Sequence, residues 1–273
     1  MSSTTVGSPP PPAVLAAFGV RGTPTSLGGG RGRAWQADDL VIKPAETGEA
    51  ALVWQADVLD QVRTDGVRVA RPRRSVAGPF IVAGWSASTF EPGRHEPRRW
   101  SDIVVVGRRL HGAWAQVDRP DFLDGRVDRW AVADRAAWGE TSLEPFRDVP
   151  HVTRLEDRLE PVRAASQLIQ GDLAGNVLFA SRLPPAVIDL SAYWRPAEFA
   201  TAIVAADALT WEGAEAVDLA SAVETDQFGQ LLARAVLYRI VADALAGPAP
   251  RDVLGAAYAP AVDLAVRLIE DGR

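Results

Sequence analysis

Residues 168–191 constrain the fold of this 273-residue chain more than any other stretch. Leu168–Phe179 reads LIQGDLAGNVLF, and Ala186–Ser191 follows as AVIDLS. Two short apolar strands bracket a polar loop, and a third delivers Asp189 seventeen residues after Asp172. One reading is a plain β-hairpin, since Asp, Gly and Asn are ordinary turn residues. The other is a site for a divalent ion and phosphates. Oxygen ligands from two separate turns suit Mg²⁺, which binds through a few carboxylate or carbonyl oxygens plus substrate phosphates. A second carboxylate nearby can take the proton of an incoming hydroxyl.

Composition sharpens the choice. Of the 29 basic residues 28 are arginine and one is Lys43, and Asn176 is the single asparagine. A chain rich in Ala, Arg, Gly and Pro reflects a GC-rich genome, which disfavours lysine and asparagine codons. A lysine that survives this bias is either codon noise or a compact point charge that arginine cannot replace, such as one placed on a phosphate.

Residues 1–12 read as a flexible Ser/Thr/Gly/Pro leader, and Ala13–Phe18 as a short helix. A glycine cluster, Gly28, Gly29, Gly30 and Gly32, lies before Trp35 and the strand-like run Asp39–Pro44, which suggests a hairpin whose loop is mostly backbone. A helix is expected from about Gly48 to Arg63, with Leu52, Gln55, Leu59 and Val62 at helical spacing. Gly78–Trp85 reads as one strand, and Glu91-Pro92-Gly93 as the boundary between regions 13–91 and 92–273. Beyond it the pattern is helical over Ser101–Val117, Tyr193–Trp211, Gln227–Ala246 and Val253–Glu270. The expected layout is a small β-rich lobe and a larger, mainly helical lobe of α+β class.

The charge balance excludes several functions. A net charge of −6 argues against general nucleic-acid binding. The absence of cysteine rules out disulfides, zinc knuckles and thiol nucleophiles. No apolar run approaches the ~18 residues of a membrane span and no signal peptide is read, so a cytoplasmic protein is expected. Residues 101–273 hold 17 bases and 26 acids, which suits a cationic ligand and equally a solvated acidic surface. Gly84-Trp85-Ser86-Ala87-Ser88 nearly spells a hydrolase nucleophile elbow but ends in serine where the strained turn needs glycine. His95, His111 and His151 lack metal-ligand spacing and are expected on helix and loop surface.

The run QGDLAGNVLF…VIDLS resembles the catalytic and metal segments of the aminoglycoside phosphotransferase and choline kinase family, of protein-kinase-like fold. The order of Lys43 in VIKP, Asp172, Asn176 and Asp189 matches that family's anchors. The resemblance implies a two-lobed kinase that uses ATP and Mg²⁺ on a hydroxyl-bearing small molecule. It assigns Asp172 as the catalytic base and Asn176 and Asp189 as metal ligands. Gly28, Gly29, Gly30, Gly32, Lys43, Gln55 and Trp85 fall to the nucleotide, with Trp85 near the hinge.

Three positions depart from the family pattern. Gln170 replaces a supporting histidine, and Asn176 follows Asp172 by four residues rather than five. Gln55 occupies the place of the glutamate that pairs with the lysine; it can hydrogen-bond Lys43, and Glu49 on the same helix offers a substitute charge. These departures keep open an alternative, a nucleotide-binding pseudokinase acting as sensor or scaffold.

Overall fold

The computed structural model describes residues 7–28, 32–222, 227–247 and 251–272. Helix α1 (Pro12–Ala17) precedes strands β1 (Thr25–Ser26), β2 (Trp35–Ala37) and β3 (Leu40–Pro44). Helix α2 (Glu49–Gln61) is followed by β4 (Arg68–Val69), β5 (Pro72–Arg73), β6 (Ile81–Val82) and β7 (Trp85–Thr89). Then come α3 (Trp100–Trp114), α4 (Arg129–Ala137) and α5 (Val152–Glu156). Strands β8 (Gln167–Gln170), β9 (Val177–Ala180), β10 (Leu183–Val187) and β11 (Ala192–Arg195) lead into α6 (Ala197–Trp211), α7 (Phe228–Ala246) and α8 (Arg251–Glu270). Among the described residues, no helix is long and apolar enough to cross a membrane.

The chain divides into two compact units, Met1–His95 with Gly175–Leu190 and Glu96–Ala174 with Ser191–Arg273. The division after His95 falls close to the boundary read from Glu91-Pro92-Gly93. The β9–β10 hairpin, which the sequence reading kept within 92–273, packs with the first unit. The reason is strand pairing: β10 runs parallel to β4, with Ala186 opposite Arg68 and Val187 opposite Val69.

In the first unit the main sheet has the order β1-β2-β3-β7-β5, with β6 also paired to β7. Leu40 and Ile42 alternate inward from β3 and join Val14, Phe18, Ala37 and Ala87 in one buried cluster. The segment expected as one strand, Gly78–Trp85, is instead the start of a hairpin. Ala83 and Gly84 both adopt positive φ (48° and 79°), the geometry of a two-residue turn that matches the strand twist. Ser86 and Ser88 therefore lie inside β7, opposite Lys43 and Val41, and no nucleophile elbow forms.

In the second unit α6 and α7 are apolar on almost every side and almost wholly buried, as core helices are. The expected helix over Tyr193–Trp211 begins only at Ala197. Residues 192–195 pair as β11 with β8, and Pro196 caps the helix that follows. A proline biases the residue before it to extended backbone, so the aromatic start stays strand. Helix α4, which periodicity did not single out, starts at Asp128, whose side chain accepts a bond from the Ala131 N–H.

Candidate active site

The first unit gathers the lysine and the second aspartate. Inward residues Leu40 and Ile42 leave Lys43 on the opposite face of β3, at the register of Ser86. Its Nζ lies 2.5 Å from Asp189 Oδ1, although the two are 146 residues apart in sequence. Both groups reach solvent, with 26% and 47% of their side chains exposed. Asp189 adopts a left-handed backbone (φ 50°), which costs a non-glycine residue energy and is commonest where function requires it. The Ile188 N–H donates to the Asn176 carbonyl, so the loop bearing Asn176 and the turn bearing Asp189 are stitched together.

Gln55 is buried on α2, and its amide donates to the Leu190 carbonyl. It thus anchors the residue after Asp189, while the Lys43 ammonium bonds Asp189 itself. Glu49 is not a substitute charge for the lysine either: its carboxylate accepts the N–H groups of Phe80 and Ile81. Trp85 opens β7 and packs partly buried against the apolar cluster, and the first unit's opening segment runs on to His95. Of the glycines, Gly28 faces open space and Gly32 has φ 64°, while Gly29 and Gly30 lie outside the described residues.

The second unit holds Asp172 at the end of a tightly bonded frame. Gln170 is fully buried; its Oε1 accepts the Ser191 N–H and its Nε2 donates to the Asp172 carbonyl. The Gln170 N–H in turn donates to His111 Nε2 at 3.0 Å. This corrects the expectation of three surface histidines: His111 is 3% exposed and supports the loop from α3. The carboxylate of Asp172 accepts from Arg239 Nη2 at 2.9 Å, and Arg239 is clamped on its other side by Asp207 at 2.8 and 2.5 Å. Burial works against the Arg239 charge, but the carboxylates around it outweigh burial and hold it well above the ordinary arginine range. Burial also pushes the Asp207 carboxyl up, and the Arg239 charge and its two hydrogen bonds oppose that rise.

Sequence reasoning missed His111, Asp207 and Arg239. A signal existed for the last two: a charged residue inside an otherwise apolar helix demands a buried partner.

A cavity of about 330 Å³ opens in the second unit. Trp130, Trp211 and Tyr258 wall it, and Arg239 and Asp207 form part of its lining. Glu212 and Asp243 add carboxylates, which hold Trp100 Nε1 and the Tyr258 hydroxyl respectively. Three carboxylates against one guanidinium leave the lining net negative.

The buried imidazole of His111 predicts a pH dependence. Desolvation lowers its pKa to about 3, so the folded chain resists protonation that the unfolded chain accepts below about 6.5. This stabilisation is fully present above pH 6.5 and is lost as pH falls from there toward 3, at up to about 1.4 kcal/mol per pH unit. Thermal melts between pH 7 and 4 should show this slope, and His111→Gln should flatten it.

Among the described residues no group of three or more His, Asp or Glu forms a metal cage. Asp189 and the Asn176 side chain supply two oxygens of the kind Mg²⁺ uses beside phosphates. Asp172 is less suited to a metal, since a guanidinium already occupies its Oδ1.

No protein-family model matches the chain, and no curated protein matches it. Solved structures do. An aminoglycoside phosphotransferase from Alicyclobacillus acidocaldarius is 15% identical, with 98% of this chain and 96% of that one covered at a TM-score of 0.59. Spectinomycin phosphotransferase APH(9)-Ia, solved with ADP and spectinomycin, is 14% identical, covering 94% and 96% at 0.55. Choline kinase LicA from Streptococcus pneumoniae is 13% identical, covering 95% and 96% at 0.56.

Proposed function

From the fold these similarities establish, the protein-kinase-like fold of small-molecule phosphotransferases, we propose that the chain moves the γ-phosphoryl group of ATP to a hydroxyl of a small molecule. One observation carries the reading: the only lysine meets Asp189, in left-handed backbone, across 146 residues of chain. A hairpin built merely to turn can use left-handed backbone, but it has no need of a lysine brought to it from so far along the chain.

In this reading Lys43 holds the α- and β-phosphates as a point charge, and backbone N–H groups of the loop around Gly28 and Gly32 cover them. Asp189 and Asn176 hold Mg²⁺, which when bound neutralises phosphate charge. Asp172 orients the acceptor and receives its hydroxyl proton. The acceptor oxygen then bonds the γ-phosphorus, the bond from that phosphorus to the bridging oxygen breaks, and ADP leaves. Gln170, Gln55 and His111 support the two aspartates through backbone bonds. Positioning and charge neutralisation supply most of the rate in such a site.

The net-negative, aromatic-walled cavity favours an acceptor that carries amines on a polyol or aminosugar frame. A screen of aminoglycosides, aminosugars, choline, neutral sugars and nucleosides with an ADP readout tests this. ADP release stimulated by amine-bearing acceptors is expected; stimulation by neutral sugars alone would reverse the acceptor assignment. The pseudokinase reading draws support from Gln55, which leaves Lys43 without the usual glutamate. It predicts Mg·ATP binding with no acceptor-stimulated turnover.

Lys43→Arg should fold normally and weaken Mg·ATP binding or turnover by about tenfold or more, because a planar fork does not replace a compact ammonium. Unchanged affinity and unchanged turnover would return Lys43 to codon noise.

A further inference from the structure

Arg239 lies in α7 within Ala233–Ala242, a run otherwise apolar apart from Arg234 and the Tyr238 hydroxyl. Its side chain is 10% exposed, that of Asp207 11% and that of Asp172 42%. The guanidinium gives Nε and Nη2 to Asp207 and shares Nη2 with Asp172. It also stacks over Tyr238 and Trp130, at 5.1 and 5.4 Å from the ring centroids, so its plane is fixed. A buried charge is kept only if it is paired, and Asp207 alone would satisfy that need. The bond to the half-exposed Asp172 is therefore surplus to neutralisation. Its effect is directional. Because Asp207 already balances the guanidinium, Arg239 offers Asp172 a rigid donor at Oδ1 without cancelling the carboxylate charge, and this constrains how the carboxylate can turn.

We propose that Arg239, clamped by Asp207, is a positioning residue for phosphoryl transfer that orients the Asp172 carboxylate toward the acceptor hydroxyl. This rests on the reading of Asp172 as the group that receives the acceptor proton. The competing role is a plain stitch between α6 and α7, with no consequence for Asp172.

A double-mutant cycle separates the two. Arg239→Lys keeps the charge opposite Asp207 but lacks the fork that reaches both carboxylates. With Mg·ATP and the probes hygromycin B, spectinomycin and choline, it should lower kcat about tenfold or more while Mg·ATP affinity changes less than about threefold. In an Asp172→Asn background the same exchange should cost less than about twofold, because the group it positions is already disabled. Equal losses in both backgrounds would make Arg239 a structural stitch and overturn the proposal. If Arg239→Lys fails to fold, Asp207→Asn combined with Arg239→Gln removes both buried charges together and carries the same comparison. A wild-type chain that binds Mg·ATP yet releases no ADP with any probe would overturn the phosphotransferase reading and this proposal together. Turnover with additive losses would overturn this proposal alone.

Discussion

Asp189→Ala should abolish Mg²⁺-dependent ATP binding, whereas Asp172→Asn should leave it intact and reduce phosphoryl transfer by about 10²-fold or more. The asymmetry follows from what each carboxylate touches. Asp189 meets the lone lysine in the first unit and is held in left-handed backbone beside the Asn176 loop. In the proposed reading its removal would deprive a bound ion of its main carboxylate, and it deprives Lys43 of its counter-charge. Asp172 meets an arginine in the second unit, so its loss leaves phosphate neutralisation untouched. Calorimetric titration with Mg·ATP on both variants reads the difference before any acceptor is known. Equal loss of binding would mean that the short Asp172–Asn176 spacing draws Asp172 into metal ligation. Equal retention would remove the kinase reading.

Gly171→Ala should be among the most damaging small substitutions in the chain. A Cβ at Gly171 would lie 2.3 Å from Cδ2 and 2.6 Å from Cε2 of Tyr193. The ring cannot swing away: it is buried, its hydroxyl bonds that of Tyr238 at 3.0 Å, and Arg126 packs over its face. The Gly171 N–H is also committed, to the Ser191 carbonyl. Overpacking of this kind costs roughly 3 kcal/mol or more, a fall in Tm on the order of 10 °C. Gly175→Ala is the matched control, since nothing lies within 4 Å of a Cβ placed there. Thermal denaturation of the two variants should differ by nearly the whole effect; similar melting temperatures would contradict the close approach.

The candidate polar anchors were legible in the sequence because composition made two of them rare. Lys43 and Asn176 stood out against 28 arginines and no other asparagine, whereas Asp172 and Asp189 were equally readable as turn residues until their order was set beside the family pattern. The broad division into a β-rich and a helical part was legible from the change in apolar period near Glu91. What escaped was nonlocal. That β10 pairs with β4 across more than a hundred residues leaves no trace in either strand's own pattern. That the expected strand Gly78–Trp85 turns back on itself depended on Ala83 adopting positive φ, which alanine rarely does. His111 looked like surface because one histidine on an amphipathic helix has no local sign of burial, and only the Gln170 N–H opposite it explains its place. Asp207 and Arg239 sit on separate helices, and each is intelligible only as the other's partner.

Transfer of a radiolabelled γ-phosphate from Mg·ATP to an amine-bearing acceptor tests the central claim most directly. The account predicts label on the acceptor in step with ADP release by the wild-type chain, and its near-disappearance in Asp172→Asn. Mg·ATP that binds while its label stays on the nucleotide with every acceptor would contradict the account and leave a nucleotide-binding pseudokinase in its place.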